Sequence, residues 1–385
     1  MLTESVHALR ALLIMVIVAG LQGCGTLYLA QAASGQWHLL RERRPIGSVI
    51  ADPGTPETLR KRLINVEEAR DFAVSELHLP DNRSYRTYAD IERPYVVWNV
   101  VAAPEFSVQP ARWCFPIAGC VAYRGYFSER RAREFAAHLA SKGYDVTIGG
   151  VPAYSTLGKF ADPVLSSMMR YGDSELAAII FHELAHQLLY VQDDSEFNEA
   201  FATTVEDAGL ERWLKLRNEP NRLQQFRKED VEERAFVDLF VQGRAQLARL
   251  YASGMGREEM REQKARLLGA LADQVRALQR RQGNEDYEAW LREGLNNAQL
   301  ASIATYYECV PGFEKLLMQN DGDLLRFYAA ARALAHEPRA DRHAKLCTPD
   351  SGSSGPEVSS QRNEYDRVAA SHLEDQHAGG LGAIP

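Results

Sequence analysis

The sequence lacks four features that would each define a class of protein. It has five cysteines among 385 residues, too few for a fold built on disulfide bridges. It has no excess of positive charge, since 44 lysines and arginines face 52 aspartates and glutamates, which argues against a nucleic-acid-binding protein. It has no internal repeat and no apolar run of the roughly 18 residues that a membrane-spanning helix needs. What is left is an ordinary globular composition, with 45% hydrophobic and 25% charged residues.

The N-terminus carries a short apolar run, ALLIMVIVA over residues 11–19, directly after Arg10. At fewer than about 15 residues it is too short to span a bilayer comfortably and is typical of a signal-peptide core. The LQGC that follows resembles the cleavage box of bacterial lipoproteins, in which Cys24 receives lipid and becomes the first mature residue. We therefore expect a leader over residues 1–23, with an uncleaved membrane anchor as the alternative. Because glycine rather than aspartate follows the cysteine, the periplasmic face of the outer membrane is favoured over the inner membrane.

The four other cysteines are even in number, which in an oxidising compartment indicates disulfides. Cys114 and Cys120 flank FPIAG, in which a proline and a glycine allow a tight loop. The sequence predicts a Cys114–Cys120 disulfide and, by elimination, a Cys309–Cys347 disulfide. Zinc binding by these cysteines is the alternative, although their spacing does not match zinc knuckles.

The pattern along the chain predicts an α+β fold that is predominantly helical. Residues 24–172 read as an N-terminal α+β part, and residues 173–347 as a helical part whose long stretch breaks near Gly254–Gly256. Strands are predicted at residues 95–101, 122–127 and 146–153. Residues 348–385 are rich in serine, glycine and polar residues and have no apolar periodicity, which predicts a disordered tail.

The most informative segment is FHELAHQ, residues 181–187, inside a helix-forming run. His182 and His186 are four residues apart and share one helix face, so both can reach one metal ion. Glu183 lies beside His182, where it can take the proton of a water that Zn²⁺ activates. The flanking apolar residues bury most of this helix, and buried histidines need partners. The segment predicts a catalytic zinc site, with two surface histidines that bind nothing as the alternative.

A catalytic zinc site has three protein ligands, and the third is predicted to be Glu199. If the helices on either side of the polar turn at 191–195 are antiparallel, a rise of about 1.5 Å per residue brings Glu199 level with the histidines. Glu206 lies on nearly the same face two turns later and is predicted to support a ligand from behind. A solvated helix acid is the alternative interpretation of Glu199.

Together these motifs resemble the bacterial putative aminopeptidase family, whose members are predicted zinc metallopeptidases and often lipoprotein-like. The resemblance is carried by FHELAHQ and by FNEAFA at 197–202, and it extends upstream through YRGYF at 123–127 and AYSTLG at 153–158. It implies a zincin-like metallopeptidase core of the gluzincin type, with a small sheet preceding the HExxH helix and one Zn²⁺ ion. Thermolysin-like enzymes, which the Asn-Glu pair also resembles, have an aspartate where this chain has Thr203.

The resemblance also implies a substrate-binding edge strand just before the HExxH helix. Here it falls within residues 146–158, where a buried connector is the alternative, and its candidate contacts are Tyr154, Ser155, Thr156 and Gly158. A donor for the tetrahedral intermediate is expected later in the chain, because it must face the open metal position. The candidates are Tyr306, Tyr307 and His336, with ordinary packing as the alternative for each.

The sequence therefore predicts a membrane-anchored zinc peptidase, and the aminopeptidase name comes from the resemblance alone. We find no distinctive motif for holding a free ammonium group, for which Asp162 and Glu105 are the candidates. Two other functions stay open, a non-catalytic envelope lipoprotein stabilised by zinc and an amidase acting on cell-wall peptides. The expected partners are a peptide substrate and, through the lipid, the membrane, but not nucleic acid.

Overall fold

The structure, a computed structural model, describes residues 24–115, 119–153, 155–285 and 287–347. The predicted leader at 1–23 and the predicted tail at 348–385 lie outside the described residues. The fold is α+β and predominantly helical, as predicted. Among the described residues, no helix combines the length and the apolar character needed to cross a membrane.

Short helices and strands alternate in the N-terminal part of the chain. Its helices are α1 (Cys24–Glu42), α2 (Ile46–Ala51), α3 (Glu57–Ser75) and α4 (Glu129–Ala140). Its strands are β1 (Arg44–Pro45), β2 (Thr87–Ala89), β3 (Val97–Pro104), β4 (Trp113–Phe115), β5 (Gly119–Val121), β6 (Tyr123–Tyr126), β7 (Tyr144–Val151) and β8 (Val164–Leu165). The three strands predicted from the sequence correspond to β3, β6 and β7, with ends shifted by one to three residues.

A 3₁₀ turn at Ser166–Arg170 leads into the helical part. Its helices are α5 (Asp173–Leu188), α6 (Ser195–Leu216), α7 (Pro220–Tyr251), α8 (Arg257–Gln282), α9 (Glu288–Glu293), α10 (Asn297–Tyr307), α11 (Val310–Gln319), α12 (Leu324–Ala335) and α13 (Arg339–Leu346). The break between α7 and α8 falls where the glycines predict it. Gly254 there has φ +73°, a conformation that glycine adopts without steric cost.

Three antiparallel strands form the main sheet in the order β6–β3–β7. The register places Asn99 of β3 opposite Gly125 of β6 and Gly149 of β7. Because side chains alternate along a strand, Trp98 and Val100 point to the opposite face from Asn99, and that face packs against α4. Two smaller sheets accompany it. The strands β1, β2 and β8 form one, and the hairpin β4–β5, inserted in sequence between β3 and β6, forms the other.

The largest hydrophobic core joins the N-terminal and helical parts of the chain. It contains Phe72 of α3, Phe181 of α5 and Phe201 of α6, and each of these side chains is at most 5% exposed. Burying one such side chain contributes about 1.5–3 kcal/mol to folding. Because α5 packs on both α3 and α6, the parts of the chain before and after residue 172 share this hydrophobic core.

Two disulfides are present, Cys114–Cys120 and Cys309–Cys347, the pairs expected from the sequence. The first closes the hairpin β4–β5, where the two cysteines are directly opposite each other. The second joins the residue before α11 to the residue after α13. The paired sulfurs leave no thiolate among these four residues, so the structure does not favour the alternative of zinc binding by cysteine.

Candidate metal centre and active site

Helix α5 carries both histidines and is buried on almost every side. At its first turn the Glu175 carboxylate accepts a hydrogen bond from the backbone N–H of Gly172, which caps the helix. Its apolar residues from Leu176 to Ala185 are fully buried. His182 and His186 are only 6% and 8% exposed, and they line a cavity rather than the core.

Three ligand atoms converge on this face of α5. The Nε2 atoms of His182 and His186 are 3.0 Å apart. Oε2 of Glu199 lies 3.4 Å from Nε2 of His182 and 3.5 Å from Nε2 of His186. Zinc binds such atoms tetrahedrally at about 2.0–2.2 Å, which separates two ligand atoms by about 3.3 Å. The three atoms therefore fit one zinc ion, and within the described ranges no fourth His, Cys, Asp or Glu joins this group.

The turn between α5 and α6 places Glu199 opposite the histidines. The Asn198 side chain bridges this turn, accepting from the N–H of Val191 at 2.7 Å and donating to the Val191 carbonyl at 2.8 Å. Asp194 caps α6 by accepting the N–H of Phe197 at 3.3 Å. Since the next residue after Asn198 is Glu199, these local contacts position the third donor.

Glu206 contacts the other side of the first histidine. Nδ1 of His182 lies 2.8 Å from Oε2 of Glu206, so the Nδ1–H donates to this carboxylate and Nε2 is left for a metal. His186 meets Glu199 and His182 meets Glu206, so α6 runs antiparallel to α5, as the sequence reasoning assumed. Thr203, which replaces the aspartate of thermolysin-like enzymes, therefore does not leave the site without such a carboxylate.

Burial and charge set the protonation states of the three donors. Burial lowers the pKa of His182, although Glu199 acts in the opposite direction. Burial acts in the same direction on His186, but the charge and hydrogen bond of Glu199 outweigh it and raise the His186 pKa. Burial alone would raise the pKa of Glu199, but the imidazoles of His186 and His182 hold it at about 2. A neutral imidazole and an ionised carboxylate are the forms that bind zinc.

Glu183 has the protonation behaviour expected of a base. Burial raises its pKa to about 7, the charge of His186 opposes the rise and the charge of Glu199 adds to it. A pKa near the working pH suits a group that takes up and returns a proton. Ser155 interacts with the Glu183 carboxylate and partly offsets the rise.

The segment predicted to bind substrate as a strand is corrected by the structure, since β7 ends at Val151. Ser155 and Thr156 do line the cavity, but in a loop. Thr156 donates to the Asp162 carboxylate from its N–H at 2.9 Å and from its hydroxyl at 2.8 Å. Gly158 has φ +73°, and a Cβ there would lie 3.3 Å from Gln187 Oε1 of α5. The loop thus supports the site through side chains and close packing, while Tyr154 lies outside the described residues.

Three of the described tyrosines line the cavity and respond to the charge of Glu199. Tyr306, Tyr123 and Tyr190 all line the cavity. Burial raises the pKa of each, and the charge of Glu199 raises it further, to about 12 for Tyr190. All three are therefore protonated at neutral pH and can donate a hydrogen bond to a developing oxyanion. Sequence reasoning missed Tyr190, which lies four residues after His186 and just beyond the end of α5. It also missed Tyr123, which only strand register brings to the site.

The other sequence candidates lie elsewhere in the fold. Tyr307 is 7% exposed and packs in a second core between α7, α8 and α10, and His336 caps the end of α12. Glu105 pairs with Arg257 and Arg261 at the surface. Asp162 is buried beside Thr156, and none of these four candidates is among the residues that line the cavity.

The central cavity that contains the metal triangle has a volume of about 750 Å³. One face of the main sheet forms its floor, and residues of α1 line it as well. The lining is mostly apolar. Among the described residues, its charged side chains other than the histidines are Glu183, Glu199 and Lys159. Most of the surface that a ligand would meet beyond the triangle is therefore uncharged.

A family model described as putative aminopeptidase matches residues 27–346, which is most of the chain. The match includes every residue placed at the site above. No curated protein and no solved structure matches this chain.

Proposed function

The chain belongs to the putative aminopeptidase family, and on that premise we propose that it is a zinc-dependent peptidase that hydrolyses peptide bonds. His182, His186 and Glu199 would hold one Zn²⁺ ion. The observation that carries the proposal is the triangle of donor atoms, 3.0, 3.4 and 3.5 Å apart, with Glu183 on the same cavity. A site for a metal and a base thus share one cavity.

Glu183 acts as the general base. Its pKa of about 7 lets the carboxylate accept a proton from the attacking water and later return it to the departing amine. When bound, Zn²⁺ supplies a Lewis acid that polarises the scissile carbonyl and acidifies the attacking water. Tyr306 donates a hydrogen bond to the oxyanion of the tetrahedral intermediate, and Tyr123 and Tyr190 are placed to assist it.

The finer features of this proposal come from the resemblance. We propose a zincin-like core, and the helix bearing HExxH, the antiparallel helix bearing the glutamate and the preceding sheet support this proposal. Aminopeptidase specificity rests on the family description. The carboxylates that line the described part of the cavity are Glu183 and Glu199, which already serve as base and ligand.

Two alternatives predict different outcomes. A purely structural zinc site is normally closed by a fourth protein ligand, whereas this triangle faces a cavity of about 750 Å³. An amidase acting on cell-wall peptides would use the same base and metal, so only a panel of substrates distinguishes it from a general peptidase.

We further propose that the protein is lipid-anchored at Cys24 and faces the periplasm, as the sequence predicts. Helix α1 begins at Cys24 and contributes residues to the lining of the cavity, so an anchor there would hold the cavity near the membrane. Mass spectrometry of the purified full-length protein tests this, since acylation of Cys24 supports the anchor and an unmodified cysteine contradicts it.

The test of the proposed function compares wild-type protein with Glu183→Gln on a peptide library that includes cell-wall peptides. We expect one zinc per chain in both proteins and at least about 100-fold slower cleavage by the variant. Glu211→Gln is the matched control, because Glu211 lies on α6 but pairs with Lys215 and Arg227 away from the site. A wild-type protein that binds zinc and cleaves no peptide would contradict the enzyme and support the structural site.

A further inference from the structure

The floor of the central cavity is one face of the main sheet. Val97, Asn99 and Val101 alternate along β3 and all line the cavity. Their register partners on β6 and β7 line it too, namely Tyr123 and Gly125 on one side and Thr147, Gly149 and Val151 on the other. A ligand that reaches the metal triangle therefore lies across this face.

Asn99 is the polar group in the middle of this floor. It is flanked in register by Gly125 and Gly149, which add no side chain above the sheet on either side. A Cβ at Gly125 would lie 3.1 Å from Oδ1 of Asn99 and 2.8 Å from Val97. The two glycines thus leave the Asn99 amide open to the cavity.

Within the described part of the chain, the half-buried Asn99 side chain forms no hydrogen bond. Asparagine is depleted in strands, and placing an unpaired amide in an apolar setting costs free energy. A carboxamide presents one acceptor and two donor hydrogens, which complement the N–H and C=O of a single peptide group. The group that this site fits is therefore a neutral backbone amide.

The cavity around Asn99 is mostly apolar. Val97, Val101 and Val151 line it from the sheet, and Leu29 and Trp37 line it from α1. Of the eight large hydrophobic side chains that are exposed in the described residues, three line this one cavity, namely Leu29, Trp37 and Phe160 at 45%, 65% and 49% exposure. Such a concentration of exposed apolar surface marks a binding site.

The strand register places Asn99 close to a residue of the metal site. Tyr123, which lines the same cavity as His182, His186 and Glu199, is the register partner of Val101, two residues from Asn99. Two residues of strand span about 7 Å. An extended peptide covers that distance with about two residues.

We propose that Asn99 binds one backbone peptide group of the substrate within two residues of the scissile bond, and that the cavity around it selects substrates with large apolar side chains at that place. This inference rests on the proposed peptidase function. It assigns the substrate class as apolar peptides, and it assigns Asn99 as the residue that sets their register on the sheet.

The test uses full-length zinc-loaded protein and a quenched fluorescent hexapeptide with a central Leu-Leu bond. Asn99→Ala and the nearly isosteric Asn99→Asp should each raise KM about 10-fold and change kcat by less than about 3-fold, since each loses hydrogen bonds to bound substrate. In a series of analogues, each has an ester in place of a different non-scissile peptide bond. Replacement at one of these positions should lower turnover by the wild type about 10-fold but leave turnover by Asn99→Ala unchanged. Peptides with Asp-Asp or Lys-Lys at the centre should be cleaved at least about 10-fold more slowly than the Leu-Leu peptide by the wild type.

The outcomes separate this inference from the proposed function. A wild-type protein that cleaves none of the peptides contradicts the proposed function, and the inference falls with it. An active wild type whose KM is unchanged in both Asn99 variants, with zinc content and melting temperature also unchanged, contradicts the role of Asn99 alone. An active wild type that prefers the charged peptides contradicts the substrate class. If Asn99→Ala fails to fold, Asn99→Asp takes its place both in the KM comparison and in the ester series.

Discussion

Tyr306 and Tyr307 are consecutive residues of α10 that face two different parts of the molecule. Tyr306 lines the central cavity, where Glu199 and Glu183 raise its pKa beyond the effect of burial. Tyr307 packs in the second core and is 7% exposed. The helix therefore offers one donor to the site, and the next residue is a matched control for it.

We expect Tyr306→Phe to lower kcat about 100-fold, because it removes a hydrogen-bond donor for the oxyanion. Zinc content should not change, since Tyr306 is not one of the three donors. Tyr307→Phe should change kcat by less than about 3-fold. Steady-state kinetics on one fluorogenic peptide measures both variants, and equal losses in the two would remove Tyr306 from the mechanism.

We expect Glu206→Gln to weaken zinc binding about 10- to 100-fold, because the variant loses the charged partner that orients His182. A chelator-competition titration measures the affinity. Glu211→Gln is the control on the same helix, since Glu211 pairs with Lys215 and Arg227 outside the site. Unchanged zinc affinity in Glu206→Gln would show that the 2.8 Å contact does not support the metal.

We expect an N-acetylated peptide to be cleaved within about 3-fold of the rate of the same peptide with a free N-terminus. An aminopeptidase holds the free ammonium group of its substrate with a carboxylate. The two carboxylates that line the described part of the cavity, Glu183 and Glu199, are already the proposed base and zinc ligand. Mass spectrometry of the products measures the rate and the cleavage position. Release of single N-terminal residues from the free peptide alone would instead establish aminopeptidase specificity.

We expect Asp194→Ala to lower the free energy of unfolding by about 3 kcal/mol at pH 7, because it removes a helix cap and leaves Arg342 buried without its carboxylate. Asp194 contacts Nε of Arg342 at 2.6 Å and Nε2 of His343 at 2.7 Å, so it ties α13 to the start of α6. Urea denaturation measures the change. A loss under about 0.5 kcal/mol, the size of a surface substitution, would contradict this role.

The same aspartate predicts a pH dependence. Burial acts to raise its pKa, but His343 and Arg342 outweigh burial and hold it below the ordinary 3.8. A carboxyl with a lowered folded-state pKa contributes stability above about pH 3.8, and that contribution is lost as the pH falls through the folded value. The stability difference between wild type and Asp194→Ala should therefore narrow below that pH, and a constant difference would contradict the assignment.

The metal triangle could be predicted from the sequence because its parts are local. His182 and His186 are related by the helical repeat, and Glu199 is brought back by one short turn. The chain length from His186 sufficed to place Glu199 level with the histidines, and Glu206 behind them.

The rest of the site depends on contacts between residues that are far apart in sequence, which the spacing of motifs does not reveal. Tyr123 and Asn99 reach the cavity through the register of β6, β3 and β7, which long-range pairing determines. Which of Tyr306 and Tyr307 faces the site depends on the rotation of α10 between two cores. Ser155 was expected to offer backbone to substrate, but the loop after β7 turns its side chain toward Glu183.

The proposal that three side chains hold one catalytic zinc ion, with a fourth position open to the cavity, can be checked on the metal itself. In a crystal of the zinc-loaded protein, anomalous data collected on both sides of the zinc absorption edge should show one zinc peak per chain. We expect this zinc to be bonded at about 2.0–2.2 Å to Nε2 of His182, Nε2 of His186 and a carboxylate oxygen of Glu199, with no fourth protein ligand. Asp194, Glu196 and His343 form another group of potential ligands within the described residues. A zinc peak at that group with none at the triangle, or a zinc ion with a fourth side chain as ligand, would contradict the proposal.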